Sequence, residues 1–359
     1  MLMLNNEDVA RVLDIPACIE AIEEAYKELA VQHAVNLPEG GRMDVAVPSP
    51  GPEQDRAYVW GAMAGIVRSR NMFALRMKSD ITYSLPQPDG GLTNDKFCVE
   101  PGTYCGLVML FSTENAEPLA IMTDGVIQHA RVASTSAVAA KYLARPGSVT
   151  LGIVGSGGMA RTHAEAFASV LPIERIRVFS PNREHREAYA EEMRAKLEID
   201  VQAVDRPEDA VVGSDVVSGC TDSMQPVVLN DWVSEGMHLT CVLPREMEEG
   251  IAERCDVVVR HLNGGASRVW AATEEELAGR KSYDQSKGLV ARTDLPTLTD
   301  LVTGGTPGRT SPDQITYYHN VPGSAVQFAA TGALIYEAAR AAGVGHEIPT
   351  DWFLQDIRD

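Results

Sequence analysis

A glycine-rich turn at residues 155–160, Gly-Ser-Gly-Gly-Met-Ala, carries the clearest chemical signal in this chain of 359 residues. It follows the apolar run LGIV and opens a stretch of helical spacing. In such a strand-turn-helix unit, glycines allow a tight bend and close approach of backbone N–H groups to a pyrophosphate, and the helix N-terminus adds partial positive charge. The alternative is a tight turn without ligand. The predicted dinucleotide-binding residues are Gly155, Ser156, Gly157, Gly158 and Met159.

The end of the next apolar run, ERIRVFS, distinguishes between cofactors. An NAD site usually has Asp or Glu at the end of this strand, about 20 to 25 residues beyond the turn, where the carboxylate bonds the ribose 2′-hydroxyl. Here Ser180, Asn182 and Arg183 stand instead, so a 2′-phosphate meets a hydroxyl and a guanidinium and no repelling carboxylate. We expect NADPH, with NADH as the less favoured cofactor. The alternative is that Arg183 and Arg186 are solvated helix residues.

The charge balance excludes two classes of partner. The chain has 31 Lys plus Arg and 50 Asp plus Glu, a net charge of −19. Such a field repels nucleic acids and anionic membrane surfaces, so neither is an expected partner. No apolar run approaches the roughly 18 residues needed to span a bilayer, and the start of the chain lacks a basic flank. We expect a cytoplasmic protein.

The six cysteines are scattered along the chain, with no Cys-x-x-Cys pair and no His at ligand spacing. Neither a metal site nor a disulfide is expected, because this pattern lacks the clustering that structural zinc requires and no export signal is recognised. The thiols are expected in the core or in pocket walls.

The pattern of apolar, polar and small residues changes along the chain and predicts the elements that carry the candidate residues. From 37 to 111, after two amphipathic helices, short apolar runs broken by Pro, Gly, Asn and Asp are typical of an antiparallel sheet. After a small-residue-rich helix at 126–143, strands alternate with helices, which indicates a parallel sheet with right-handed crossovers. The polar loop at 279–295 is either a lid or an ordinary surface loop. The predicted fold class is α/β, with a doubly wound Rossmann domain.

Several segments, taken in order, resemble the ornithine cyclodeaminase and mu-crystallin family. They are Gly41-Arg42, FALRMKSD, GLVMLFSTENAEPLAIMTDG, HARVASTSAVAAKYLARPG, the glycine turn, and HNVPGSAVQFAATGALIYEAAR. The resemblance implies an α+β substrate-binding and dimerisation domain built from residues 1–130 and 320–359. It implies that the Rossmann domain, residues 131–319, is inserted between these parts, and that two copies form a homodimer through the N-terminal sheet.

The resemblance further implies that Arg42, Lys78 and Arg131 converge on the α-carboxylate of an amino or imino acid beside the nicotinamide. Guanidiniums can bond a carboxylate bidentately, while a lysine adds a point charge or, with its pKa lowered among cations, a proton. Three further residues match family positions near the nicotinamide or along the rest of the cofactor: Thr103, Thr221 and Ser223.

One loop departs from the family pattern. Members that act on ornithine place an Asp shortly after the strand that corresponds to MHLTCV, where it binds the substrate amine. Here Arg245 takes that place, followed by Glu246. A cation disfavours ornithine and favours a second anionic group on the substrate, so one hypothesis makes Arg245 a substrate contact. The alternatives are that Arg245 is a surface residue, or that Glu246 takes over the amine role.

Together these features predict an NADPH-dependent reductase of a C=N bond next to a carboxylate, with a small imino or amino acid as its partner. Lys78 is the candidate proton donor, although the same ammonium can instead only hold the carboxylate. Two other functions stay open. A cyclodeaminase would use bound NAD and expel ammonia from ornithine, and a crystallin-like protein would bind NADPH without turnover.

Overall fold

The computed structural model describes residues 1–39, 41–49, 56–86, 92–264, 267–277 and 288–357, which form two β-sheets and the helices around them. One sheet is mixed and has 11 strands, and the other is parallel and has 7. Of the predicted loop at 279–295, residues 279–287 lie outside the described residues. Of the helices in the described ranges, none combines the length and apolar character needed to cross a membrane.

The strands are numbered in chain order through both sheets. Those of the mixed sheet are β1 (Leu2–Leu4), β2 (Ala34–Leu37), β3 (Met43–Pro48), β4 (Ala57–Val67), β5 (Met72–Pro86), β6 (Leu92–Cys98), β7 (Glu100–Pro101), β8 (Cys105–Ser112), β9 (Pro118–Thr123), β16 (Ser267–Trp270) and β18 (His346–Glu347). Those of the parallel sheet are β10 (Thr150–Val154), β11 (Arg175–Phe179), β12 (Asp200–Ala203), β13 (Val216–Gly219), β14 (His238–Cys241), β15 (Val257–Arg260) and β17 (Thr316–His319).

The helices are likewise numbered in chain order. They are α1 (Asn6–Val12), α2 (Ile15–Ala30), α3 (Gly125–Leu143), α4 (Gly158–Val170), α5 (Arg183–Leu197), α6 (Pro207–Val211), α7 (Ile251–Arg254), α8 (Glu274–Leu277), α9 (Leu298–Val302) and α10 (Ala325–Ala342). Short 3-10 turns lie at Arg68–Arg70, Asn230–Trp232, Gly288–Ala291 and Thr350–Phe353.

The mixed sheet has the order β16-β3-β4-β5-β8-β9-β1-β18, with β2 and β6 paired to β4 and β5. Its inner face is covered over part of its width by α10, with α2 against β2, and α3 packs on these two helices. Along β5, every second residue from Met72 to Asp80 is buried, and the residues between them are half-buried. Because successive side chains of a strand point to opposite faces, this alternation separates an inner face from a more open outer face.

Helix α10 approaches the sheet closely because small residues line the contact. A Cβ atom on Gly65 of β4 would lie 2.8 Å from the carbonyl carbon of Ala325. Ser324 and Gln327 form a capping box at the start of the helix, and Gly343, with φ +64°, ends it. The close packing fixes the residues at the N-terminus of α10 above the inner face of the sheet.

The parallel sheet has the order β12-β11-β10-β13-β14-β17-β15. All five residues of β10 are buried, as expected for a strand covered on both faces. The strand order reverses direction between β10 and β13, and ligands of such sheets bind in the crevice at the carboxyl ends of the strands on either side. The predicted α/β fold class, with its doubly wound parallel sheet, is confirmed.

The short strand β16 differs from the sequence-based division of the chain. It comes from the stretch 131–319, which we expected to form only the dinucleotide-binding domain, yet it pairs in parallel with β3 in the mixed sheet. Its first three residues are exposed, so it lacks the apolar alternation by which a strand is recognised in a sequence. The pairing brings Arg268 to the edge of the mixed sheet.

Candidate functional site

Four residues that follow one another across the mixed sheet form the centre of the candidate site. They are Asp44 on β3, Gly61 on β4, Lys78 on β5 and Gly106 on β8. A Cβ atom on Gly61 would lie 2.4 Å from Asp44 Oδ1 and 3.1 Å from Lys78 Cε. A Cβ atom on Gly106 would lie 2.0 Å from Asp124 Oδ1. The two glycines therefore leave the space in which charged side chains from neighbouring elements meet.

Lys78 is buried and forms an ion pair with Asp80, with 2.9 Å between Nζ and Oδ2. Burial first, and then the positive charge of Arg42, lowers the pKa of Lys78 to about 8. The carboxylates of Asp80 and Asp44 act in the opposite direction. A lysine with this pKa can donate a proton near neutral pH.

Two further carboxylates of the site are held by arginines. Arg42 Nη2 donates to Asp44 Oδ2 at 3.0 Å, and Arg268 Nη2 donates to the same oxygen at 3.2 Å. Arg76 Nε donates to Asp124 Oδ2 at 2.6 Å, and both of these side chains are buried. Each of the two carboxylates is thus neutralised by at least one guanidinium.

Arg131, on α3, is buried and has no carboxylate partner within the described ranges. Its Nη1 donates to Gln327 Oε1 at 2.8 Å, while its Nε has no hydrogen-bond partner there. The guanidinium carbon lies 5.0 Å from the ring centre of Phe328, and that of Arg76 lies 5.6 Å from the same ring. Burial, with the charge of Arg76 next, lowers the pKa of Arg131 to about 9.

The three cations predicted to converge lie in one region. A Cβ atom on Gly41 would lie 2.8 Å from the carbonyl oxygen of Gly323, and one on Gly323 would lie 2.7 Å from Arg131 Nη1. The positive charge of Arg42 contributes to the lowered pKa of both Lys78 and Arg131. The structure therefore brings Arg42 and Lys78 together and places Arg131 close to them.

The charged side chains described above form one group, the cation cluster, which has more positive than negative charge. It contains three carboxylates and five cations: Asp44, Asp80 and Asp124, and Arg42, Arg76, Lys78, Arg131 and Arg268. A chain with a net charge of −19 therefore concentrates positive charge at one place. Such an excess, next to a crevice, favours a bound anion.

The predicted dinucleotide turn lies between β10 and α4. Gly155 has φ +116°, and a Cβ atom there would lie 2.3 Å from the carbonyl oxygen of Cys220, so the position requires glycine. The space beside Gly157 is open, and α4 begins there without a side-chain cap, which leaves its first N–H groups available to an anion. This cradle fits a pyrophosphate. The turn is completed by Ser156 before the helix and by Gly158 and Met159 in its first turn.

Helix α3 connects the turn to the cation cluster. His129 packs against Gly158, where a Cβ atom would lie 2.5 Å from the imidazole Cε1, and Arg131 follows two residues later. Burial, followed by the positive charge of Lys96, lowers the pKa of His129 and so favours its neutral imidazole. Sequence reasoning missed His129. The available signal was its place beside Arg131 in the segment HARVAS.

The residues predicted at the 2′ position of the ribose lie beyond the end of β11. Ser156 Oγ donates to Ser180 Oγ at 2.8 Å, which joins the strand end to the glycine turn. The Asn182 side chain caps α5. Arg183 has a side chain that is 74% exposed and pairs with Glu187, with 2.7 Å between Nε and Oε1. The guanidinium is accessible to a ligand at this edge.

Arg186, which the sequence analysis considers together with Arg183 at this strand end, is buried. Its Nη1 donates to the carbonyl oxygen of Ser180 at 3.1 Å, and its Nη2 donates to Asp205 Oδ1 at 2.7 Å. These bonds fix the position of the strand end beside which a ribose would lie.

Glu246 supports the loop that carries Thr221 and Ser223 after β13. It accepts hydrogen bonds from Thr221 Oγ1 and from the backbone N–H groups of Val242 and Leu243, each at 2.8 Å. Its side chain is fully buried, and burial raises its pKa to about 7. Because these donors enclose the carboxylate, the geometry is that of a residue that positions two loops rather than one that contacts an amine.

The two remaining sequence candidates lie in loops. Arg245 is half-buried in the loop after β14 and has a bonding partner of its own. Thr103 is exposed in the turn between β7 and β8, where its Oγ1 donates to the carbonyl oxygen of Glu100 at 2.8 Å.

The cation cluster and the cofactor loop meet where β6 reaches the parallel sheet. Thr93 forms an isolated antiparallel bridge with Ser223, and Asn94 N–H donates to the carbonyl oxygen of Asp222 at 3.4 Å. The two halves of the candidate site are therefore joined at this contact.

Sequence reasoning also missed the carboxylates that hold the cations, Asp44, Asp80 and Asp124. A signal was present for two of them, because Arg42 and Asp44, and likewise Lys78 and Asp80, are two residues apart. In a strand, residues at this spacing share one face. The third carboxylate, Asp124, has no such local signal, since its partner Arg76 is on another strand.

Comparisons with known proteins agree with this architecture. The model of the ornithine cyclodeaminase/mu-crystallin family matches residues 96–343. The alanine dehydrogenase of Archaeoglobus fulgidus is 27% identical over 358 residues, covering 97% of this chain and 98% of that protein. The ketimine reductase mu-crystallin of Rattus norvegicus is 34% identical over 135 residues, covering 38% of this chain and 42% of that protein.

A solved structure extends the likeness to three dimensions. The Delta(1)-pyrroline-2-carboxylate reductase of Thermococcus litoralis, in complex with NADH and L-proline, superposes with a TM-score of 0.76 at 25% identity. The match covers 97% of this chain and 100% of that chain. The resemblance seen in the sequence is thus confirmed, and this chain belongs to the ornithine cyclodeaminase/mu-crystallin family.

Proposed function

We propose that this chain is an NAD(P)H-dependent oxidoreductase that reduces a C=N bond next to a carboxylate, and so converts a small imino acid into an amino acid or an N-substituted amino acid. The observation that carries the proposal is buried Arg131, which has no carboxylate partner in the described part of the chain and lies near Arg42 and Lys78. The named activities of two relatives, a ketimine reductase and a pyrroline-2-carboxylate reductase, support this chemistry.

Binding of the substrate carboxylate falls to Arg131 and Arg42. The unpartnered Nε of Arg131 offers a charge-assisted donor that a carboxylate can satisfy. Arg42 is held in place by Asp44, and 32% of its side chain is accessible. Fixing the acid group between two guanidiniums orients the neighbouring C=N bond, and orientation of this kind supplies part of the catalytic effect.

The proton for the imine nitrogen comes from Lys78. Its pKa of about 8 leaves the ammonium charged at neutral pH and acidic enough to donate. Asp80, 2.9 Å away, fixes the direction of the ammonium and favours its charged form. A bound reduced nicotinamide supplies the hydride. The competing role for Lys78 is to hold the carboxylate only.

We further propose that NADPH is preferred over NADH. The strand end beside the glycine turn presents the Ser180 hydroxyl and the accessible guanidinium of Arg183. A 2′-phosphate would draw Arg183 away from its exposed pairing with Glu187, which is a weak interaction in water. The relative solved with NADH shows that the family also accepts the cofactor without this phosphate.

We also propose that two copies of the chain form a homodimer through the outer face of the mixed sheet. This face is broad, apolar and uncovered by any described element of the chain. Its half-buried side chains on β4, β5, β8 and β9 include Ile66, Phe73, Leu75, Met77, Leu107, Met109, Phe111 and Ile121. A contiguous apolar patch of this kind marks an association surface.

A substrate panel tests the function directly. The purified protein is given NADPH or NADH together with 2-oxo acids crossed with ammonia or methylamine, and nicotinamide absorbance is followed. We expect cofactor consumption that needs both the oxo acid and the amine, and is faster with NADPH. Ammonia release from L-ornithine without net cofactor change would instead indicate a cyclodeaminase, and NADPH binding without any turnover would indicate a binding protein.

The pH dependence of imine reduction tests the role of Lys78. The donor must be protonated, so kcat/KM is expected to fall as pH rises through about 8, where Lys78 loses its proton. Replacement of Asp80 by Asn removes a charge that raises this pKa, so the alkaline limb should move to lower pH. Lys196→Met, at an exposed lysine, is the matched control and should leave the profile unchanged. An identical limb in the Asp80→Asn variant and the wild type would assign Lys78 to carboxylate binding.

The Arg183→Ala variant tests the cofactor preference. Loss of a charge-assisted contact to the 2′-phosphate should raise KM for NADPH roughly tenfold and change KM for NADH less than about twofold. Arg175→Ala, at another exposed arginine paired with a carboxylate, is the control and should leave both values near wild type. A wild type that prefers NADH, or equal effects on the two cofactors, would contradict the preference.

The oligomeric state is tested with Met109→Glu, which places a charge in the middle of the outer face of the sheet. Light scattering during size-exclusion chromatography should give a dimer mass for the wild type and a monomer mass for the variant, with unchanged circular dichroism. Val212→Glu, at an exposed position outside the mixed sheet, should remain dimeric. A monomeric wild type would rule out the dimer.

A further inference from the structure

Lys96 lies on β6, the strand that reaches from the mixed sheet to the cofactor loop. In the register of β5 and β6 it stands directly opposite Thr82. Residues opposite each other in an antiparallel pair share a face, and Thr82 shares its face of β5 with Lys78 and Asp80. The Lys96 side chain therefore leaves the sheet on the side that carries the cation cluster.

The ammonium of Lys96 has no carboxylate partner in the ranges that the structure describes. Its Nζ lies 4.7 Å from the ring centre of Tyr104, and the residue is exposed. The three carboxylates of the cluster, Asp44, Asp80 and Asp124, are each paired with another cation. Lys96 thus presents an unneutralised charge at the edge of the site.

The protein around Lys96 also disfavours its charge. Although the residue is accessible, desolvation by its surroundings lowers its pKa, and the positive charge of Arg76 acts in the same direction. Asp80 and Asp124 act in the opposite direction. The charges that influence Lys96 are those of the substrate site, and a bound anion would stabilise its ammonium.

Two cations of the site are therefore without a carboxylate among the described residues: Arg131, which is buried, and Lys96, at the edge. A monocarboxylic imino acid can neutralise only one of them. We propose that the substrate is a dicarboxylic imino acid, with its α-carboxylate on Arg131 and its second carboxylate on Lys96, which makes Lys96 a specificity-determining residue. This inference rests on the proposed function.

The sequence-based candidate for a second acidic group was Arg245. It lies in a loop of the parallel sheet and already has a bonding partner, whereas Lys96 projects from the face that holds Lys78 and Asp80. A cofactor phosphate is another anion that can attract a lysine at this place. The experiment therefore has to separate a substrate carboxylate from a cofactor phosphate, and Lys96 from Arg245.

The test compares steady-state kinetics with two imines at saturating NADPH. One is formed from 2-oxoglutarate and ammonia, the other from 2-oxobutanoate and ammonia. In Lys96→Met, KM for the dicarboxylic imine should rise at least about tenfold more than KM for the monocarboxylic imine, because only the former loses a charge-assisted contact. Lys96→Arg, which keeps the charge, should restore most of the difference. Lys141→Met, at a lysine paired with Glu23, should match the wild type.

Three results would overturn the inference in a variant whose circular dichroism is unchanged. They are equal effects of Lys96→Met on both imines, a selective loss only in Arg245→Met, and a rise in KM for NADPH in place of the substrate. A wild type that reduces the monocarboxylic imine at least as well as the dicarboxylic one would end this inference and leave the proposed function intact. A wild type that reduces neither of these imines nor any other imine of the substrate panel would contradict both the inference and the proposed function.

Discussion

Arg131 is an arginine buried without a carboxylate partner in the described part of the chain, and the account of the site depends on this one feature. Removing a guanidinium from water costs several kcal/mol unless a counter-charge and hydrogen bonds replace the solvent. Among the described residues, the hydrogen bond to Gln327, the ring of Phe328 and the more distant charge of Asp124 offset part of that cost, and Arg131 Nε lacks a partner. In the proposed function, a substrate carboxylate would relieve this cost on binding. On that proposal, the attraction for the substrate arises beside the bond that is to be reduced.

The fold tolerates so much charge in a small space because it removes side chains where the charged groups meet. Gly61 and Gly106 leave room on β4 and β8 for the carboxylates of Asp44 and Asp124. Helix α3 then joins this cluster to the cofactor turn, since His129 and Arg131 are two residues apart on it. The distance between the proposed carboxylate site and the proposed cofactor turn is thus set by one helix.

Much of the fold could be predicted from local sequence. The glycine turn can be recognised from the sequence alone, because the conformation at Gly155 and the open space at Gly157 are requirements of the local backbone. The position of Ser180 and Arg183 at a strand end was equally predictable, because they directly follow a predicted strand, while their role toward the cofactor stays a prediction. That Arg42, Lys78 and Arg131 lie in one region could be predicted only from the family resemblance, because they are far apart in the sequence.

Other features depend on register between distant segments, which no local pattern encodes. The row that joins Asp44 to Lys78 exists only once β3, β4 and β5 are paired, and Lys96 joins the same face only through its pairing with Thr82. The strand β16 was missed because its residues are exposed and lack alternation. Glu246 was placed near the substrate from its position in the chain, whereas tertiary contacts enclose it beneath Thr221.

The most direct measurement is a crystal structure of the protein with NADP+ and pyruvate, a small 2-oxo acid that carries the carboxylate but cannot be reduced by the oxidised cofactor. The account predicts electron density for the pyruvate carboxylate within hydrogen-bond distance of Arg131 Nε, on the side of the crevice that holds Lys78. Pyruvate bound elsewhere, or an Arg131 that remains without a carboxylate in the saturated crystal, would contradict it.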